Sequence, residues 1–277
     1  MLTTTVDGLW GLQVLTGIEV LAPELGLRSI LPSVETQHMA LAHPIAAELR
    51  TAGVLDESDN VDATVVEWLT VLARRDVALV IHVRTPDREN PTRALLARFA
   101  QWWVVVERSE DLVRIGGAGT SSAEGAANAV IHGQIERLCG TNTPASLKPV
   151  TLDADALQAS GESQQALYTF LASQRLEVDQ LQILRMAADP DRSAQAAIVG
   201  IQSGVALAGP TRTHIEQTVV TIIDTPEGRI VAEHVPSAGK RWMILAPGTA
   251  SNVASAVNRM MRRLPASEEW YSYRKVV

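Results

Sequence analysis

The chain has 277 residues, 46% hydrophobic and 20% charged, with a formal net charge of -7. That length buries a sizeable core in one large domain or two small ones, and the apolar-leaning composition excludes extensive disorder. The acidic balance argues against a broad phosphate-binding surface and so against nucleic acid, while a single cysteine, Cys139, excludes an intramolecular disulfide and fits a reducing compartment.

In chain order, residues 4–12 read as an opening strand, and 23–44, punctuated by prolines, as loop with short helical pieces. The opening has no basic segment ahead of an apolar run, and no run reaches the ~18–20 apolar residues of a membrane helix, so neither a secretory leader nor a membrane span is expected. "HPIAAELRTAGVL" places Pro44 near a first helical turn and Gly53 past a last one; "DATVVEWLTVLARR" starts at an N-cap Asp62 and lines up Val65, Trp68, Leu69 and Leu72. The period then changes, and 77–83, 93–99, 102–108 and 112–117 read as strands of an antiparallel meander. The link 84–92, with two prolines and four charged residues, exceeds a tight hairpin and reads as a mobile loop.

The second half runs through the same order. "VTLDADAL" (150–157) echoes "TVDGL" (5–9); helices follow over 162–176 and 178–188, then strands over 195–202, 214–224, 229–235 and 241–247, with "DTPEG" as a hairpin turn. "WMILAPGTASNVASAVNRMMRRLP" (242–265) looks like a strand, a Gly-Thr turn and a helix, the outline of a phosphate loop. "LVRIGGAGTSSAEGAANAVIHGQIERL" (112–138) repeats it, Gly119-Thr120 answering Gly248-Thr249. Two matched copies favour an architectural turn, with a capping side chain at each helix, over a nucleotide site. The repeat predicts one intertwined α+β fold of two pseudo-symmetric halves, 1–146 and 147–277, sharing a mainly antiparallel sheet with flanking helices. Both faces of the strands are apolar: either helices cover both, or one is left for a partner.

Chemistry-bearing motifs are scarce. His82, His214 and His234 fall in strands, His132 in a helix, and His38 and His43 near a loop, with no metal-ligand spacing, so neither metal nor cofactor is expected. Cys139 ends an amphipathic helix as a small hydrophobe, and helix capping accounts for Asp153 and Asp155. No catalytic residue is assigned.

At "VVTIIDTPEGRIVAEHV", "LAPGTASNVASAVNRMMRRLP", the opening "TTTVDGLWGLQ", "GVLDESDNVD" before "WLTVL", and the closing "RRLPASEEWYSY", the sequence resembles the EspG family, cytosolic chaperones of mycobacterial ESX (type VII) secretion systems. The resemblance implies a non-enzymatic protein, monomer or weak dimer alone, that binds the apolar tip of the PPE protein in a PE–PPE heterodimer and keeps it soluble for export. It also implies a contact surface on the open sheet face, the loop between the second and third strands and the helices of the C-terminal half. Carried over by element order, that surface includes Thr85, Asp87, Arg88, Glu89, Asn90, Arg98, Tyr168, Leu171, Leu181, Ile198 and His214. Tyr168, Leu171 and Leu181 fit helix packing equally well. The alternative is a small-molecule or nucleotide-binding enzyme that uses the Gly-Thr turns.

Overall fold

In the computed structural model, which describes residues 1–205, 212–237 and 239–275, the expected opening strand is only β1 (Leu2–Thr5), and α1 (Val6–Thr16) takes the rest. Thr5 causes the switch: its hydroxyl accepts from Gly8 N at 3.1 Å, the N-cap bond that starts a helix. Short helices α2 (Gln37–Ala42) and α3 (Ile45–Thr51) punctuate the proline-rich stretch. α4 (Ala63–Arg74) begins at Asp62, whose carboxylate accepts from the amides of Thr64 and Val65, and it buries Val65, Leu69 and Leu72 as its periodicity requires. β2 (Val77–Arg84), β3 (Thr92–Phe99), β4 (Trp102–Ser109) and β5 (Leu112–Thr120) form the expected meander, followed by α5 (Glu124–Cys139).

The second half comprises β6 (Val150–Asp153), α6 (Ala154–Ala159), α7 (Gln164–Ser173), α8 (Val178–Ala187), β7 (Ala194–Val205), β8 (Arg212–Ile215), β9 (Val220–Thr225), β10 (Gly228–Ser237), β11 (Lys240–Pro247) and α9 (Ala250–Met261). Asp153 caps α6 as Thr5 caps α1, which is the physical content of the echo between 150–157 and 5–9. The expected strand over 214–224 is two strands. Glu216 turns its carboxylate back onto the amide and hydroxyl of Thr218, at 3.0 and 2.7 Å, and that local bond breaks the ladder between β8 and β9.

The strands hydrogen-bond in the order β1-β5-β4-β3-β2-β7-β9-β10-β11-β6, with β8 paired to β7 off this path. The order is a palindrome: each half lays its first strand outside its last, and the halves join where β2 runs antiparallel to β7, Val77 opposite Gln202 through Arg84 opposite Gln195. The edge each meander leaves open is thus closed by the other.

Both faces carry helices. Val77, Leu79, Ile81, Leu96, Trp103, Ile198, Val220 and Val231 form one core with α5 and α9. On the opposite face Ala78, Leu95, Ala97, Val104 and Val106 pack under α1, α3 and α4, whereas Ile223, Ile230, Ala232 and Leu245 pack under α7 and α8. Between these two helical clusters lie the central strands.

Candidate functional site

The phosphate-loop outline does not hold. Gly119 and Thr120 are still inside β5, where the ladder to β4 slips between Trp103 and Val104 and Gly119 has a φ of +139°; α5 starts later, at Glu124, and its N-cap residue Ala123 offers no side-chain cap. Only the second copy is a capped turn, Thr249 accepting from Asn252 N at 3.1 Å. There Gly248 is packed against the neighbouring strand. Gly248 N donates to Arg229 O at 2.7 Å, and a Cβ on Gly248 would meet the Arg229 backbone carbon at 2.8 Å. The expectation of two equivalent capped turns is therefore corrected to one, and its glycine serves close packing.

Arg229 shows what that packing is for. Its guanidinium pairs with Asp224 at 2.6 and 2.7 Å and donates to the carbonyls of Cys139 and Gly140 at the end of α5, stapling the first half's last helix to the second half's hairpin. Cys139, half-buried beside it, has its thiol pushed up to about 11, chiefly by desolvation, which keeps it protonated at neutral pH. Asp153 is a cap and Asp155 pairs with Arg241, so neither is left for acid–base chemistry. Among the described residues no group of three or more His, Cys, Asp or Glu side chains is placed to hold a metal.

The centre of the sheet carries a partly exposed strip. On the face shared by α4 and α8, Val80 and His82 of β2 stand opposite Val199 and Ala197 of β7; all four are partly or fully exposed, while Leu79, Ile81 and Ile198 on the reverse are fully buried. His82 lies below the ordinary histidine value, mainly through partial burial and then through the charge of Arg93 opposite it on β3. At neutral pH the strip is therefore apolar with a neutral imidazole.

The loop 85–91 leaves β2 at one end of this strip. Arg84 pairs there with Gln195, whose side-chain amide donates to Ala187 O at the end of α8, so loop and helix rise from the same corner. Thr85 is half-buried at the loop's root; Asp87, Arg88, Glu89 and Asn90 are exposed at its tip, Asn90 reaching Glu110 at 3.0 Å. On α7, Tyr168 is half-buried, its hydroxyl accepting from Gln164 and its ring lying 5.7 Å from the Arg185 guanidinium of α8. Leu181 is half-buried against the core under α7 and α8. Eight of the eleven expected contact residues keep some exposure, but His214 sits on β8, at the other end of β7 from the loop, about 25 Å away along the strand.

Three residues are corrected outright. Leu171 and Ile198 are core, 3% and 0% exposed. Arg98 is fully buried: its guanidinium donates to the carbonyls of Ala100, Trp270, Tyr271 and Tyr273, and holds the C-terminal segment against β3. An arginine flanked by Ala97 and Phe99 on a strand reads as surface charge when its partners lie some 170 residues away. Val80, His82 and Val199, conversely, belong to the open strip and were missed, because only the β2–β7 pairing brings them together.

The family model described as EspG family matches residues 5–259. The chain is 52% identical to the ESX-2 secretion-associated protein EspG2 of Mycobacterium tuberculosis over 277 residues, covering 100% of both chains, and 25% identical to the ESX-5 secretion-associated protein EspG5 of Mycobacterium marinum over 99% of this chain and 97% of the relative. Among solved structures it resembles the Mycobacterium tuberculosis type VII secretion system chaperone EspG5, solved in complex with the PE25-PPE41 dimer, with a TM-score of 0.74 and 23% identity over 98% of this chain and 99% of that one. That last likeness bears on the fold.

Proposed function

The chain belongs to the EspG family, and from that premise we propose that it is a secretion-specific chaperone that binds the PPE protein of a cognate PE–PPE heterodimer and keeps the dimer soluble for type VII export. The observation that carries the reading is the partly exposed strip of Val80, His82, Ala197 and Val199 between two helical clusters, with the loop 85–91 and helix α8 rising at its margin. An apolar helical tip laid on the strip removes apolar surface from water on both sides, and the charged loop selects among tips. Nothing in this role calls for bond chemistry or a cofactor, and a chaperone that acts before export works in the cytoplasm. Among the described residues no helix is long and apolar enough to cross a membrane.

Coexpression with candidate PE–PPE pairs followed by titration calorimetry tests the reading. One pair is expected to form a stoichiometric complex whose affinity changes little with ionic strength, since exposed charges are screened at high salt and apolar burial is not. If no pair binds, or if affinity falls steeply with salt, the reading fails.

A further inference from the structure

At the end of the sheet away from the loop 85–91, a cavity of about 450 Å³ opens among His214, Glu216, Thr218, His234, Arg241 and Arg263, with Val219 and Pro236 as its apolar wall. Most of its polar groups are spoken for. Arg241 is paired with Asp155 and Gln158, His234 Nδ1 lies 3.2 Å from Val219 O, and the Glu216 Oε1 takes the amide and hydroxyl of Thr218.

Two donors are left. Arg263 Nε donates to the neutral Thr218 hydroxyl at 3.1 Å, but its buried Nη2 has no hydrogen-bond partner among the described residues, and no carboxylate there lies within ion-pair reach of it. The His214 Nε2 is likewise buried and unpartnered; its nearest acceptor, Glu216 Oε2, is 3.9 Å away, too long for a hydrogen bond. The Arg263 side chain is half-buried, but its Nη2 end is shut off from solvent, and a charged N–H there without an acceptor is costly.

We infer that this cavity is a carboxylate-binding site in which Arg263 and His214 supply the donors. A carboxylate offers planar acceptors matched to the guanidinium edge, and Val219 and Pro236 suit the methylenes that carry it. The carboxylate comes either from a free small acid or from an acidic side chain of the protein partner; only the second source rests on the chaperone reading above.

The test uses the full chain and sodium acetate, with sodium chloride at matched ionic strength as control, followed through the imidazole NMR resonances. Acetate is expected to shift the His214 resonance saturably, chloride is not, and Arg263→Gln is expected to weaken acetate binding about tenfold. His214→Gln, on a half-exposed strand, serves as the second variant if Arg263→Gln does not fold. In parallel, the affinity of a cognate PE–PPE dimer is measured with and without acetate. Competition assigns the carboxylate to the partner, and acetate binding without competition assigns it to a free acid. An acetate response absent from the wild type, together with unchanged dimer affinity in the folded variant, overturns the site. If no dimer binds the wild type, the chaperone reading fails and the acetate arm alone decides the cavity.

Discussion

At the scale of single residues, the decisive groups are buried cations used as staples. Arg98 holds four carbonyls and lies near Asp76, whose carboxylate accepts from Ala100 N and Lys275 N. Burial draws Arg98 down to about 10 while Asp76 pulls the other way, so it stays charged at neutral pH. Arg98→Leu strands those carbonyls in a buried site, leaving Asp76 with Arg274, at 3.6 Å, as a nearby cation, and is expected to cost about 3 kcal/mol, read as a lowered urea midpoint. His82 titrates with a definite sign. Its folded value lies below 6.5, so the unfolded chain takes up the proton first, and its contribution to stability is complete above pH 6.5 and declines as pH falls through the interval down to the folded value. His82→Gln is expected to flatten the acid limb of a stability-against-pH curve; an unchanged limb assigns the acid sensitivity to other groups.

At the scale of elements, the two halves differ where they look most alike. Thr249 caps α9 and nothing caps α5. Thr249→Ala is expected to cost about 1 kcal/mol, and Ala123→Asp, at a position already extended at φ -140° and ψ 156°, to add about 0.5–1 kcal/mol, both by thermal or urea unfolding. The Gly-Thr repeat was legible; the β-bulge that absorbs Gly119 was not, because a bulge depends on the strand across the ladder. Strand positions, the Asp62 cap and the stripe on α4 were legible because each depends on residues a few positions apart. The loop 85–91 was legible from its prolines and charges, and replacing it with a short Gly-Ser hairpin is expected to leave the unfolding midpoint within ~0.5 kcal/mol of the parent while weakening partner binding at least about tenfold. Leu181 is a poor test of contact, since it also packs on the core under α7 and α8, whereas the loop tip bears on nothing inside.

At the scale of the whole molecule, the strand order is mirrored about the β2–β7 pair, and that pair carries the proposed site. Two meanders joined through β2 and β7 place a partly exposed strip at the centre, between the cluster under α1, α3 and α4 and the cluster under α7 and α8. The repeated order of elements was readable from the sequence as an echo. Which strands meet was not, and so Val80 and Val199 were invisible as a pair while Arg98 and Ile198 passed for surface. The family resemblance implies a partner class, and the strip between β2 and β7 is the place proposed for it. Hydrogen–deuterium exchange of the chain with and without its cognate PE–PPE dimer tests that place most directly. The account predicts new protection in 85–91 and across α7 and α8, with α5 and α9 on the reverse face unchanged. Protection confined to α5 and α9, with 85–91 and α7–α8 exchanging as in the free chain, would contradict it.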